Sequence, residues 1–165
     1  MSNNNEIILA VYNGKKSLLS WTIWGDCYRI IFTSKKIVVG EAKLKLLQRI
    51  FWSYEYHCFD PGKKPMTLEN KPIKDYFKDG KIIEEITYDE IKKIKLSQSA
   101  DISEVSIYSH SDKLIATYNI PLRGASKFYA PKFFSDLNDY FVELRSQKEE
   151  LMGLSEEELL NLLKS

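Results

Sequence analysis

The sequence predicts a mainly β fold, an antiparallel barrel or sandwich capped by a C-terminal helix. Three observations carry this. Short β-branched and aromatic runs recur between turn residues over residues 6–40 and 82–120. In Tyr28-Arg29-Ile30-Ile31-Phe32 the side chains alternate, with Tyr28, Ile30 and Phe32 on one face and Arg29 and Ile31 on the other. Near the C-terminus the period lengthens, and Phe133, Phe134, Leu137, Tyr140, Phe141 and Leu144 form one helical stripe.

Taken in order, Glu6–Tyr12 is an apolar strand ending at Asn13-Gly14, a turn dipeptide. Lys16–Trp24 reads as a second apolar run, stopped by Gly25-Asp26. Tyr28–Phe32 and Ile37–Val39 form a hairpin around Thr33-Ser34-Lys35-Lys36. The period then changes: Leu46, Leu47, Ile50, Phe51 and Tyr54 recur at helical steps opposite Glu41, Lys45, Gln48 and Arg49, which predicts an amphipathic helix over about 41–54. His57–Lys81, rich in Pro, Gly and Lys, reads as an irregular excursion, so a helix-plus-loop insertion of about 41–81 follows the third or fourth strand.

Strand character returns at Ile86-Thr87-Tyr88, breaks at Asp89-Glu90 and resumes through Ile91, Ile94 and Leu96. Ser103–Ser109 and Lys113–Ile120 form a hairpin turning at His110-Ser111-Asp112. The final long helix is expected to carry Pro131 in its first turn. Residues 151–165 read as a short acidic helix, with Ser155 and Glu158 as a capping box. Residues 1–150 thus form one domain with a short appendage.

In this order, Gly25–Ile37 resembles the first hairpin of the pleckstrin-homology-like (PH-like) domains of bacterial and archaeal proteins. Ile86-Thr87-Tyr88-Asp89-Glu90-Ile91-Lys92-Lys93-Ile94 is similar to that family's bent strand, with Thr87 in place of the usual proline. The resemblance covers roughly residues 6–40 and 82–145. It implies a barrel capped by a helix that binds other molecules rather than transforming them. It also implies a place to look for anion binding, since Lys15, Lys16 and Arg29 approximate the layout of phosphoinositide-binding members. Ile31 stands where a second arginine would be.

Composition bounds the function. Of 165 residues, 44% are hydrophobic, enough for a core, and 24 basic against 23 acidic residues leave a formal charge of +1. That balance removes the global electrostatic case for nucleic acid. No apolar run reaches the ~20 residues of a membrane span, and two cysteines without CxxC spacing read as reduced thiols of a cytoplasmic protein. His57, Cys58 and Asp60 come nearest to a metal or catalytic cluster, yet they need the distant Cys27 or His110 to complete it, and no HExxH, P-loop or GxSxG pattern is present. No enzyme activity, catalytic residue, metal or cofactor is expected.

The charge is uneven. Residues 35–81 hold eleven basic and six acidic groups, and residues 147–165 two and five. Lys15, Lys16, Arg29, Lys35, Lys36, Lys45 and Arg49 are therefore the candidate anion or membrane contacts. The expected partner is another protein or a second copy of the chain, with an anionic membrane surface as the alternative. The apolar face of the 41–54 helix is expected to be covered by protein, with Leu159, Leu160 and Leu163 as the cover.

Overall fold

The computed structural model describes residues 6–16, 27–42, 72–98, 103–120, 122 and 125–153. The first sheet has the order β1 (Ile8–Gly14), β2 (Tyr28–Thr33), β3 (Lys36–Ala42), β4 (Phe77–Thr87), all antiparallel. The second has β5 (Ile91–Gln98), β6 (Ser103–Ser109) and β7 (Leu114–Ile120). Helix α1 (Ala125–Gly153) follows. Among the described residues no helix is long and apolar enough to cross a membrane.

Local chemistry explains the hairpin. The Thr33 hydroxyl accepts the backbone N–H groups of Lys35 (3.2 Å) and Lys36 (3.0 Å) and lies 2.6 Å from the Glu6 carboxylate. One buried oxygen thereby folds the turn on itself. At the β4–β5 corner, Tyr88–Glu90 make a 3-10 turn closed by a capping box, in which the Glu90 carboxylate accepts both the Thr87 N–H (3.0 Å) and its hydroxyl (2.8 Å). The Tyr88 hydroxyl donates to the Thr33 carbonyl and ties this corner to the hairpin. Burial holds its phenol well above the usual tyrosine range.

The main core fills the space between the sheets and under α1. It includes Ile30, Phe32, Ile37 and Val39 from the first sheet, Ile94, Val105, Ile107 and Tyr118 from the second, and Phe134, Leu137 and Phe141 from the helix. Tyr12, Phe32, Phe133 and Phe134 form an aromatic knot with centroids 5.2–6.0 Å apart. The expected helical stripe is present, with Phe134, Leu137 and Phe141 buried and Tyr140 at its solvent margin.

α1 also covers the free edge of β5. The Asn138 side-chain amide donates to the Ile94 carbonyl and accepts its N–H, both at 2.8 Å, and Arg145 donates to the Lys92 carbonyl at 2.9 Å. The free edge of β5 is thus satisfied by side chains. At the other end, Pro131 has no N–H for the Lys127 carbonyl, and the Gln98 amide donates to that carbonyl instead, at 3.3 Å.

Several expectations need correction. The sheets do not close into a barrel. Among the described residues they meet at an antiparallel bridge, where Lys15 and Asn119 exchange backbone hydrogen bonds of 3.0 and 2.7 Å. Gly14 permits that approach, because a Cβ there would lie 2.7 Å from the Asn119 carbonyl oxygen.

The excursion between strands is also shorter than 41–81. Glu41 and Ala42 end β3, Ile73–Tyr76 form a 3-10 turn, and β4 begins at Phe77 instead of Ile86. A bulge explains the misreading: Asp79 and Gly80 have positive φ, so this part of the strand carries turn residues. Helix α1 starts at Ala125, which places Pro131 inside it rather than in its first turn. Cys27 is not a free thiol but is held in a disulfide. The predicted run 17–24, the helix beyond residue 42, and the acidic helix with Ser155, Glu158, Leu159, Leu160 and Leu163 lie outside the described residues.

Candidate functional site

The sheets diverge at the β4–β5 corner and leave an open cleft of about 580 Å³. Its walls are Glu84, Glu85 and Ile86 of β4, Glu90 of the corner, Ser109–Ser111 of the β6–β7 turn, and Ile115. The β6–β7 turn is fixed by Asp112, at positive φ, which pairs with Lys92 (2.7 Å) and Lys93 (3.5 Å). The hydrogen bond from Lys92 holds the Asp112 carboxyl below the usual range. His110 lies 2.9 Å from the Asp89 carbonyl, and since a carbonyl only accepts, its Nε2 carries the proton.

Of the cleft carboxylates, Glu84 turns inward. Glu84 pairs with Val39 across the β3–β4 ladder, and Val39 belongs to the main core, so Glu84 faces the space between the sheets. It is met there by the Tyr118 hydroxyl (2.9 Å) and the Lys16 ammonium (3.1 Å), both on one carboxylate oxygen. The same ammonium lies 5.7 and 5.9 Å from the ring centres of Tyr28 and Tyr118. Burial first, and then the Glu84 carboxylate, push the Tyr118 phenol far up. The other carboxylates of the cleft are also engaged, Glu85 by Lys36 at 3.0 Å and Glu90 by Thr87. These groups brace the corner and present an acidic rim.

The structure separates the candidate basic residues. Lys16 reaches Glu84 at the mouth of the interior, while Arg29 lies on the reverse face of the first sheet. There its guanidinium donates to Asn13 Oδ1 (3.0 Å) and to the Tyr76 carbonyl (3.1 Å). Lys15 is buried beside β7. Lys36 is paired with Glu85, and Lys35 sits exposed in the hairpin turn. An anion site needs several donors converging on one point; of these five, Lys16 and Lys36 each turn to a β4 carboxylate. Lys45, Arg49, His57, Cys58 and Asp60 lie outside the described residues. Among the described residues no three His, Cys, Asp or Glu side chains gather to hold a metal.

Sequence reasoning missed Glu84, Tyr118 and Asn138 because adjacent glutamates and a helical asparagine read as solvent-facing. The alternation Glu84–Ile86 against Val39–Ile37 was the available signal for Glu84. No known protein family, curated protein or solved structure matches the chain.

Proposed function

We propose that this protein is a non-enzymatic PH-like interaction module that binds a protein partner or a second copy of itself. The observation that carries the reading is the order of elements: four antiparallel strands, a sharp corner, three antiparallel strands, then a helix over the open side. The cleft chemistry supports it, because the carboxylates lining the opening are engaged by Lys16, Lys36, Thr87 and Tyr118 rather than set out to meet a substrate. The outer face of α1 offers a contact surface, since Phe128 and Tyr129 are 80% and 65% exposed side by side and Val142 is also exposed.

Light scattering after size exclusion tests this across a hundredfold range of concentration. The expected result is a mass that rises with concentration and falls back to the monomer in the Phe128→Ser/Tyr129→Ser variant. A chain that stays monomeric throughout and floats with anionic vesicles supports the membrane-adaptor alternative instead.

A further inference from the structure

β4 is the outermost strand of the first sheet, with β3 on its inner side. Every residue from 79 to 83 is exposed, and Ile82 and Ile83 keep 39% and 42% of their surface in water. The cleft touches Glu84, Glu85 and Ile86 in succession. Successive strand residues face opposite ways, so an opening that meets three in a row runs along the strand's edge. The edge of β5 is closed by Asn138 and Arg145, whereas among the described residues no strand or side chain takes the outer edge of β4. The bulge at Asp79 and Gly80, between Lys78 and Lys81, blunts the first half of that edge. Residues 82–86 are left as a short open template.

We infer that this edge takes a strand from a partner protein, an extended segment that carries lysine or arginine beside the cleft. This rests on the interaction-module reading and adds the chemistry of the partner to it.

Charge decides the occupant. Glu84, Glu85 and Glu90 line the cleft, and among the described residues no Lys or Arg does. Each glutamate gives one oxygen to the fold: Glu84 Oε2 meets Lys16 and Tyr118, Glu85 Oε1 meets Lys36, and Glu90 Oε2 meets Thr87. The second oxygen of each has no hydrogen bond among the described residues, so three fixed carboxylates keep an acceptor for an incoming cation. Lys16 and Lys36 already show the fit, with ammonium groups 3.1 and 3.0 Å from two of these carboxylates. The cleft also offers apolar contact at Ile86 and Ile115, where alternate side chains of a strand can seat. Main-chain hydrogen bonds along an edge supply affinity whatever the sequence, and the carboxylates and isoleucines then select an alternating basic and apolar segment. A second copy is a poor occupant. Its own β4 would set Glu84 and Glu85 against the same residues, and like charges across a strand pair are destabilising.

The test screens the full chain against a displayed library of random peptides of about ten residues, long enough to form a strand. Recovered peptides are measured by fluorescence anisotropy and by amide exchange of the protein. They are expected to alternate apolar and basic residues, to bind the Glu85→Lys variant about tenfold more weakly, and to protect alternate amides among residues 82–86. The Phe128→Ser/Tyr129→Ser variant should bind them as the wild type does. Should Glu85→Lys not fold, the exchange pattern on the wild type decides alone. Acidic peptides, peptides that bind without protecting β4, or no recovered peptide at all overturn the proposal. So does protection of β4 that rises with protein concentration alone, which would make a second copy the occupant. Light scattering keeps the two readings apart: a chain that self-associates through α1 but recovers no such peptide loses the β4 site and remains an interaction module.

Discussion

Replacing Asn138 by alanine tests whether α1 completes the second sheet or merely rests against it. Asn138 makes two hydrogen bonds of 2.8 Å, one to each backbone group of Ile94, a residue that is itself buried. Alanine removes both partners and leaves a strand N–H and C=O facing the helix. A hydrogen bond contributes about 1 kcal/mol net, and a buried group left unsatisfied costs about 1–3 kcal/mol. Asn138 is only partly buried, so water can reach the vacated groups and the lower half of that range applies. The expected loss is about 2–3 kcal/mol, or roughly 5–10 °C in melting temperature for a chain of this size. Urea denaturation followed by circular dichroism measures it, with the exposed Asp136→Ala as the control on the same helix. Amide exchange provides the second readout, and the Ile94 N–H should lose protection first. A loss under about 0.5 kcal/mol with the Ile94 amide still protected would refute the reasoning, because the β5 edge would then be satisfied without the helix.

Two further outcomes follow from the core. Phe134→Ala removes a buried ring that stacks on Tyr12 at 5.6 Å and meets Phe32 edge-on at 5.4 Å, and should cost about 3–5 kcal/mol by chemical denaturation. Tyr12, pushed up to about 12, and Tyr88 and Tyr118, raised further by burial, stay protonated in the folded state at a pH where the unfolded chain already ionises near 10. The unfolded state then binds fewer protons, so stability present below pH 10 falls as the pH rises through the folded values. Alkaline denaturation monitored by tyrosinate absorbance should show a cooperative transition above pH 10, and simple non-cooperative titration starting at 10 would contradict the burial of these phenols.

Much of the fold was legible because its signals are local. The β2–β3 hairpin needs only the alternation of Tyr28–Phe32 and a hydroxyl at Thr33 that can fold the turn on itself. The β4–β5 corner needs only Thr87 and Glu90 at capping-box spacing, and the stripe of α1 needs only its period. The candidate site was less legible. Lys16, Lys36 and Arg29 drew attention as cations, yet their roles depend on Glu84, Glu85 and Tyr76, which lie far away in the chain.

By itself, then, the sequence determined strand, turn and helix wherever neighbours within a few residues decide the free energy: the two hairpins, the corner and the apolar face of α1. Only the tertiary structure decided where β4 begins, since the contacts of Phe77 on the reverse face override the turn residues Asp79 and Gly80. It also decided that Glu84 faces inward and that Asn138 serves as the missing partner of β5. The physical reason is common to all three. Each outcome is set by which groups are brought together across tens of residues, and burial then makes an unmatched polar group or an uncovered apolar one too costly to leave.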